Sequence, residues 1–263
     1  MSDKVQCKIC SGNAELYSVK KVLGKYDVKY YQCIVCHFIQ TEESYWLNEA
    51  YDNAITKLDI GLVYRNEYLA PVVSTIIKLF YPSNAKFVDY GGGYGLFVRM
   101  MRDRGFDFYR QDIYCENLFA KHFDLSDLPV NSKFDMLTAF EVFEHLSDPI
   151  QEIEKMLSFS DTILFTTELQ PADKNALNNW WYFTPETGQH VSLYSLQSLQ
   201  KLAEKFNMHL LSHGHLHLLS KTKRNNFLYN MAFRRSFQKA AGFLKKRRSF
   251  LSSDFNKVKS IID

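Results

Sequence analysis

Val88–Phe97 reads VDYGGGYGLF, an apolar run that ends in an acid and opens into four glycines within five residues. A strand, a tight turn and a helix start bring unpaired backbone amides to one edge of a sheet, and glycine lets ligand atoms approach that backbone closely. The spacing is Asp89-x-Gly91-x-Gly93-x-Gly95. A dinucleotide fingerprint places its third glycine where this chain has Leu96, and no Lys-Ser/Thr pair follows as in a phosphate-cradling loop. The stretch therefore predicts a ligand-binding strand-to-helix junction of another kind.

Around the turn, strand and helix patterns alternate: KFVDY, LFVRMMRDR, DFYRQDIY, KFDMLTAF, DPIQEIEKML, DTILFTTE and SLQSLQKLAEKF. This alternation predicts an α/β fold of Rossmann-like type, a mostly parallel sheet covered by helices on both faces. The closing MHLLSHGHLHLLSK reads instead as an antiparallel hairpin around Gly214. Its His209, His213, His215 and His217 alternate as strand-surface residues rather than as a metal site. Upstream, LVYRNEYLAPVVSTIIKLF has helical spacing, with Pro71 expected to begin or kink the helix.

Cys7, Cys10, Cys33 and Cys36 form two C-x2-C knuckles separated by 22 residues, the spacing of one tetrahedral zinc site. Four thiolates leave no position for water, so the expected zinc is structural. The alternating segment between them, with a turn at Gly24, predicts a zinc ribbon. Cys115 is left over as an ordinary thiol. The chain thus divides into a ribbon over 1–44, a helical connector over 45–82, an α/β core over 83–220 and a C-terminal segment over 221–263.

Two further elements support the ligand reading. Asp112 ends the strand after the glycine turn, placed to accept from ribose hydroxyls or to cap a loop. The strand in KFDMLTAFEVFEHLSDP exits onto Glu141, Glu144 and His145. The series VDYGGGYG, QDIY, DLP and FDMLTAFEVFEHLSDP resembles the class I S-adenosylmethionine-dependent methyltransferases. The resemblance implies that Asp89, Gly91, Gly93 and Gly95 hold the methionine end of S-adenosylmethionine, that Asp112 holds the ribose, that Asp124 or Leu125 lies near the adenine, and that Glu141 belongs to the cofactor site. Between Asp112 and Asp124 that family's third strand has little room, so an abbreviated edge is expected. With the four-cysteine module and TPETGQHVSLYSLQSLQKL, the arrangement looks like the zinc-containing sugar methyltransferases of bacterial glycan and antibiotic pathways. The sugar C-methylating members read Tyr-x-Glu-His where this chain has Thr187, Gly188, Gln189 and His190. Methylation at oxygen is therefore favoured over methylation at carbon.

Methyl transfer to a hydroxyl requires alignment and loss of a proton, for which histidine is the usual acceptor. His190 is the candidate base and His145 the orienting or alternate base. Trp180, Trp181 and Tyr182 offer faces to a sugar ring or pack in the core, and Glu168 and Glu186 are candidates for holding sugar hydroxyls.

At 263 residues, 46% hydrophobic and 23% charged, the chain can bury a full core, so a folded protein is expected rather than a disordered one. No apolar run reaches the roughly 20 residues that span a bilayer, and the start of the sequence has no secretory pattern, so a cytoplasmic protein is expected. Charge is uneven: residues 221–263 hold 12 Lys and Arg against 2 acids, while residues 1–220 hold 20 against 27. Within the tail, Tyr229, Phe233, Phe237, Ala240 and Leu244 recur at helical spacing, reading as an amphipathic cationic helix. Such a helix lies peripherally on the inner membrane surface, docks on its own body or makes a dimer contact. The expected acceptor is a sugar, nucleotide sugar or glycan precursor. An RNA methyltransferase and a non-catalytic scaffold are the alternatives, the first disfavoured by the acidic body.

Overall fold

The computed structural model describes residues 5–52 and 55–262. Residues 1–4 of the expected ribbon, 53–54 of the connector and 263 of the tail lie outside them. In chain order, β1 (Val5–Gln6), β2 (Asn13–Val22), β3 (Tyr26–Cys33) and β4 (Ile39–Thr41) precede a short α1 (Leu47–Ala50) and a long α2 (Leu62–Phe80). Strand and helix then alternate through β5 (Lys86–Tyr90), α3 (Leu96–Asp103), β6 (Asp107–Gln111), β7 (Met136–Ala139), α4 (Pro149–Leu157), β8 (Thr162–Thr166), α5 (Lys174–Asn178), β9 (Ser192–Leu193) and α6 (Leu196–Lys205). The hairpin β10 (His209–His213) and β11 (Leu216–Ser220) is followed by α7 (Asn226–Met231), α8 (Arg235–Leu244) and α9 (Leu251–Ile262).

The strands form two sheets, ordered β1-β2-β3-β4-β9 and β10-β11-β8-β7-β5-β6. In the second, β5 runs parallel to β6 and β7 while β10 and β11 are antiparallel, the Rossmann-like sheet expected from the alternation and the class I methyltransferase fold that the resemblance implies. β7 and β8 are buried at every position, as strands inside a covered sheet must be. No helix among the described residues is long and apolar enough to cross a membrane. By internal contacts the chain forms two compact units, residues 1–56, 140–155 and 164–221 in one, and 57–139, 156–163 and 222–263 in the other.

In the first unit, the ribbon strands pair antiparallel and the sheet continues into β9, with Ile39 opposite Leu193 and Gln40 opposite Ser192. One apolar core joins Val22, Val28, Tyr30, Ile39 and Trp46 from the N-terminal segment to Tyr182, Phe183, Val191 and Leu193. The ribbon is thus built together with the segment that follows α5. Gly24 takes φ +71° in the β2–β3 turn, the left-handed region that glycine enters without strain. In the hairpin, the expected strand-surface reading fails for His217: it is fully buried, with Nδ1 against Ser212 Oγ (2.8 Å) and Nε2 against the Thr167 carbonyl (3.1 Å). β11 is an interior strand, so alternation does not expose alternate residues there.

In the second unit, α2 runs through Pro71 without ending; the ring removes one backbone donor from the helix interior. Past β6 the expected abbreviation is seen: between Gln111 and Asp124 no strand forms, and the sheet edge carries a single parallel bridge, Arg110 to Asp124. The basic tail is not one helix. Extended backbone at Arg234 separates α7 from α8, which lets Tyr229 and Ala232 bury on one axis and Phe237 and Ala241 turn inward on another. Leu244, expected on the apolar face, is exposed as a result.

α9 is fixed by charge. Asp254, buried, accepts from Arg102 Nε and Nη2 (both 2.8 Å) and from Arg99 Nη2 (2.9 Å), while the Arg102 guanidinium lies 3.8 Å from the centre of the Phe123 ring. Burial alone would raise the Asp254 carboxyl, but the two guanidiniums hold it below its ordinary value. Removing one member of such a pair strands the other charge. Asp254→Asn is expected to lower stability by about 3 kcal/mol in urea denaturation; an unchanged midpoint would contradict this account of the tail.

Candidate active site

The glycine turn belongs to the second unit. Gly91, Gly93 and Gly95 all take positive φ (+67°, +52° and +83°), and Gly95 caps α3 from the left-handed region. A Cβ on Gly92 would meet Arg110 Cγ at 2.8 Å and Asp89 Oδ2 at 3.0 Å, so the turn closes only with glycine. Gly93 N donates to Asp112 Oδ2 (2.9 Å), and Asp112 Oδ1 accepts from Tyr114 N (2.8 Å) and Cys115 N (2.7 Å). Three of a carboxylate's roughly four acceptor sites are thereby used on the chain itself, leaving one for a ribose hydroxyl.

Arg110, which the sequence reading passed over, reinforces the turn. Its Nη1 donates to the carbonyls of Gly93 (2.6 Å) and Cys115 (2.8 Å), and its Nε to Asp124 Oδ1 (2.6 Å). Asn117 Nδ2 reaches Asp124 Oδ2 (3.0 Å), so both oxygens of Asp124 hold this network, and Leu125 follows in a single helical turn. Asp89 is buried, and Thr138 Oγ1 donates to its Oδ1 (2.5 Å). Burial pushes the Asp89 carboxyl up to about 7; the Thr138 hydrogen bond opposes this and the Asp112 charge adds to it.

The histidines belong to the first unit. Gly188 takes φ +68°, where a Cβ would meet Val22 Cγ1 at 3.0 Å, and its carbonyl accepts from Trp46 Nε1 (2.8 Å). Gln189 Nε2 donates to the Ala50 carbonyl (2.8 Å) and Val191 N to the Glu144 carbonyl (2.9 Å). These bonds fix the loop on both sides of His190. His190 Nδ1 lies 2.6 Å from the Tyr182 carbonyl, an acceptor only, so Nδ1 carries the proton and Nε2 the lone pair. The His145 and His190 rings stand edge to face, centroids 5.1 Å apart. Burial depresses both imidazoles, His190 to about 4 and His145 to about 3, with the neighbouring His190 contributing to the second.

Glu144 lies fully buried beside them, and one donor atom from each of Glu144, His145 and His190 falls within 4.8 Å of the others. Glu141, φ +53°, accepts from Thr166 Oγ1 at Oε1 (2.7 Å) and donates to the same hydroxyl through its backbone N (2.8 Å). Tyr182 sits in the ribbon core with a buried ring, so its part here is the carbonyl that orients His190. Trp180 is half-buried against that core, and Trp181 is 68% exposed. Glu168 is half-buried and Glu186 exposed.

The four cysteine sulfurs converge as the spacing predicts. Cys7 and Cys36 Sγ are 3.6 Å apart and Cys10 and Cys33 Sγ 3.5 Å, far beyond a disulfide and close to the roughly 3.8 Å edge of a tetrahedron with 2.3 Å metal–sulfur bonds. Ile9 N and Val35 N point at Cys7 and Cys33 Sγ (both 3.4 Å), as backbone amides do around thiolate ligands. The cluster is compatible with a zinc module.

Residues 63–213, more than half of the chain, match the family described as a methyltransferase domain. The chain belongs to this methyltransferase family. It is an S-adenosylmethionine-dependent methyltransferase. Solved structures similar to the methyltransferase include the plantazolicin methyltransferase BpumL with S-adenosylhomocysteine, at 14% identity and a TM-score of 0.46, over 77% of this chain and 89% of that one. Magnesium protoporphyrin IX methyltransferase from Synechocystis PCC 6803 is similar at 15% identity and a TM-score of 0.44, over 66% of this chain and 90% of that one. No curated protein sequence matches the chain.

The residues of the methyltransferase fit its donor: glycine backbone where a side chain would collide, and one acceptor site left on Asp112. S-adenosylmethionine brings an electrophilic methyl group on a positively charged sulfur. A cationic donor favours ionised Asp89, so binding is expected to release a proton near pH 7. Affinity should fall as pH drops below about 7, approaching tenfold per unit. Calorimetry in buffers of different ionisation enthalpy checks this, and Asp89→Asn should abolish the dependence. A flat affinity between pH 6 and 8 in the unsubstituted protein would contradict it.

Proposed function

We propose that the enzyme methylates a hydroxyl oxygen on a sugar, nucleotide sugar or glycan precursor in bacterial surface polysaccharide or related biosynthesis. The observation that carries the reading is the fixed tautomer of His190. Its Nδ1 hydrogen bond to the Tyr182 carbonyl commits Nε2 to accepting, and an acceptor at that position suits loss of a proton from a hydroxyl. His145 orients the same acceptor, and the departure from Tyr-x-Glu-His at Thr187, Gly188 and Gln189 favours oxygen over carbon. The exposed Trp181 offers an aromatic face to a sugar ring, with Trp180 beside it, and Glu168 and Glu186 offer carboxylates to its hydroxyls.

In this reading Asp89, Gly91, Gly93, Gly95 and Asp112 hold the donor, and Asp124 acts through Arg110 by keeping the turn closed. The four cysteines hold one structural zinc ion, whose part is to fold the ribbon that clasps the His190 loop. Metal analysis of the purified protein should return one zinc per chain bound by thiolates; a metal-free ribbon that stays folded would refute this.

His190→Ala should leave S-adenosylmethionine affinity largely intact and reduce turnover about 10²- to 10⁴-fold. A labelled-methyl assay across nucleotide sugars and glycan extracts provides the readout. Near-normal turnover would remove His190 from the mechanism.

A further inference from the structure

The cluster of Glu144, His145 and His190 has more ligand character than proton transfer needs. Both carboxylate oxygens of Glu144 are sealed from solvent. His145 Nδ1 is also sealed, and it has no hydrogen-bond partner. An unmet buried nitrogen of this kind costs about 1–3 kcal/mol. His190 is held as metal-bound histidines usually are, with the ring nitrogen away from the site donating to a backbone carbonyl. The three donor atoms lie within 4.8 Å of one another, a span that closes to a single coordination sphere with small side-chain rotations, since metal–nitrogen and metal–oxygen bonds are about 2.0–2.2 Å.

We propose that Glu144, His145 and His190 bind a divalent first-row transition cation, separate from the zinc of the ribbon, with positions left open for oxygens of the acceptor. Two imidazoles and one carboxylate suit manganese, iron, cobalt or zinc, and three protein ligands leave sites for further donors. Neutral imidazole coordinates through its ring lone pair, and the Tyr182 carbonyl leaves that lone pair of His190 on Nε2. A cation held there acidifies a bound hydroxyl directly. This rests on the hydroxyl acceptor of the reading above and replaces one step of it: the Nε2 lone pair is committed to the cation instead of the proton, and the hydroxyl proton leaves to solvent. A vicinal diol, with two oxygens at chelating distance, is the acceptor chemistry the open positions fit.

The test is manganese binding to the zinc-loaded full chain, without acceptor or methyl transfer, followed by the loss of the free-ion electron paramagnetic resonance signal. Manganese prefers nitrogen and oxygen donors and leaves thiolate-bound zinc in place. The expected result is one manganese per chain, with affinity lowered at least about tenfold in His145→Ala, His190→Ala and Glu144→Gln and unchanged in the exposed-residue control His213→Ala. Because a buried substitution can unfold the chain, crystals of the unsubstituted protein soaked in manganese supply the second measurement, an anomalous peak among the three side chains. Failure of the unsubstituted protein to bind manganese, equal binding by the three variants, or an anomalous peak elsewhere overturns the proposal. Each of these outcomes leaves the His190→Ala turnover result standing as a separate test of hydroxyl methylation.

Discussion

The pairing of β4 with β9 is the constraint on which the histidine site depends. It places Leu193 in the ribbon core, and with it Tyr182, Phe183 and Val191. The loop between Phe183 and Val191 is then anchored at both ends. Within it, Trp46 fixes the Gly188 carbonyl and Gln189 reaches back to Ala50. His190 has one orientation left, and the Tyr182 carbonyl selects its tautomer. The four-cysteine segment, remote in sequence, thus acts on the His190 loop through packing, by removing conformations from it.

The glycine turn shows the complementary strategy, in which polar groups do the work of an absent element. Where a further strand would cover the sheet edge, only the Arg110–Asp124 bridge forms. The Arg110 guanidinium occupies that space and bonds to two carbonyls and a carboxylate, so a charge that would be costly to bury is fully engaged. Asp112 contributes from the other side by accepting three backbone amides. The turn is organised before any ligand arrives, which spares binding the ordering cost.

Much of this was legible in the sequence because it follows from period and spacing. Alternation gave the strands and helices around the glycine turn, the C-x2-C pair gave the sulfur cluster, and the short Asp112–Asp124 interval gave the abbreviated edge. Side-chain partners were not legible, since they depend on neighbours remote in sequence. Arg110 reads as one more charge in a strand, Glu144 as one of three polar residues after β7, and Tyr182 as an aromatic in a loop. The one available signal was position: a charged residue in an otherwise apolar strand interior must find partners. The tail misled for a related reason, because helical spacing persists in the sequence across Ala232–Arg234 although the backbone breaks there to bury Tyr229 and Ala232.

The central claim is that packing holds His190 neutral, with its proton on Nδ1 and its lone pair on Nε2. Nitrogen-15 NMR of the histidine side chains, recorded between pH 5 and 8 on the zinc-loaded protein, reads both properties from one resonance pair. The account predicts an unprotonated Nε2 and a protonated Nδ1 for His190 throughout that range. A titration centred near the ordinary histidine value of about 6.5, or a proton resident on Nε2, would contradict it.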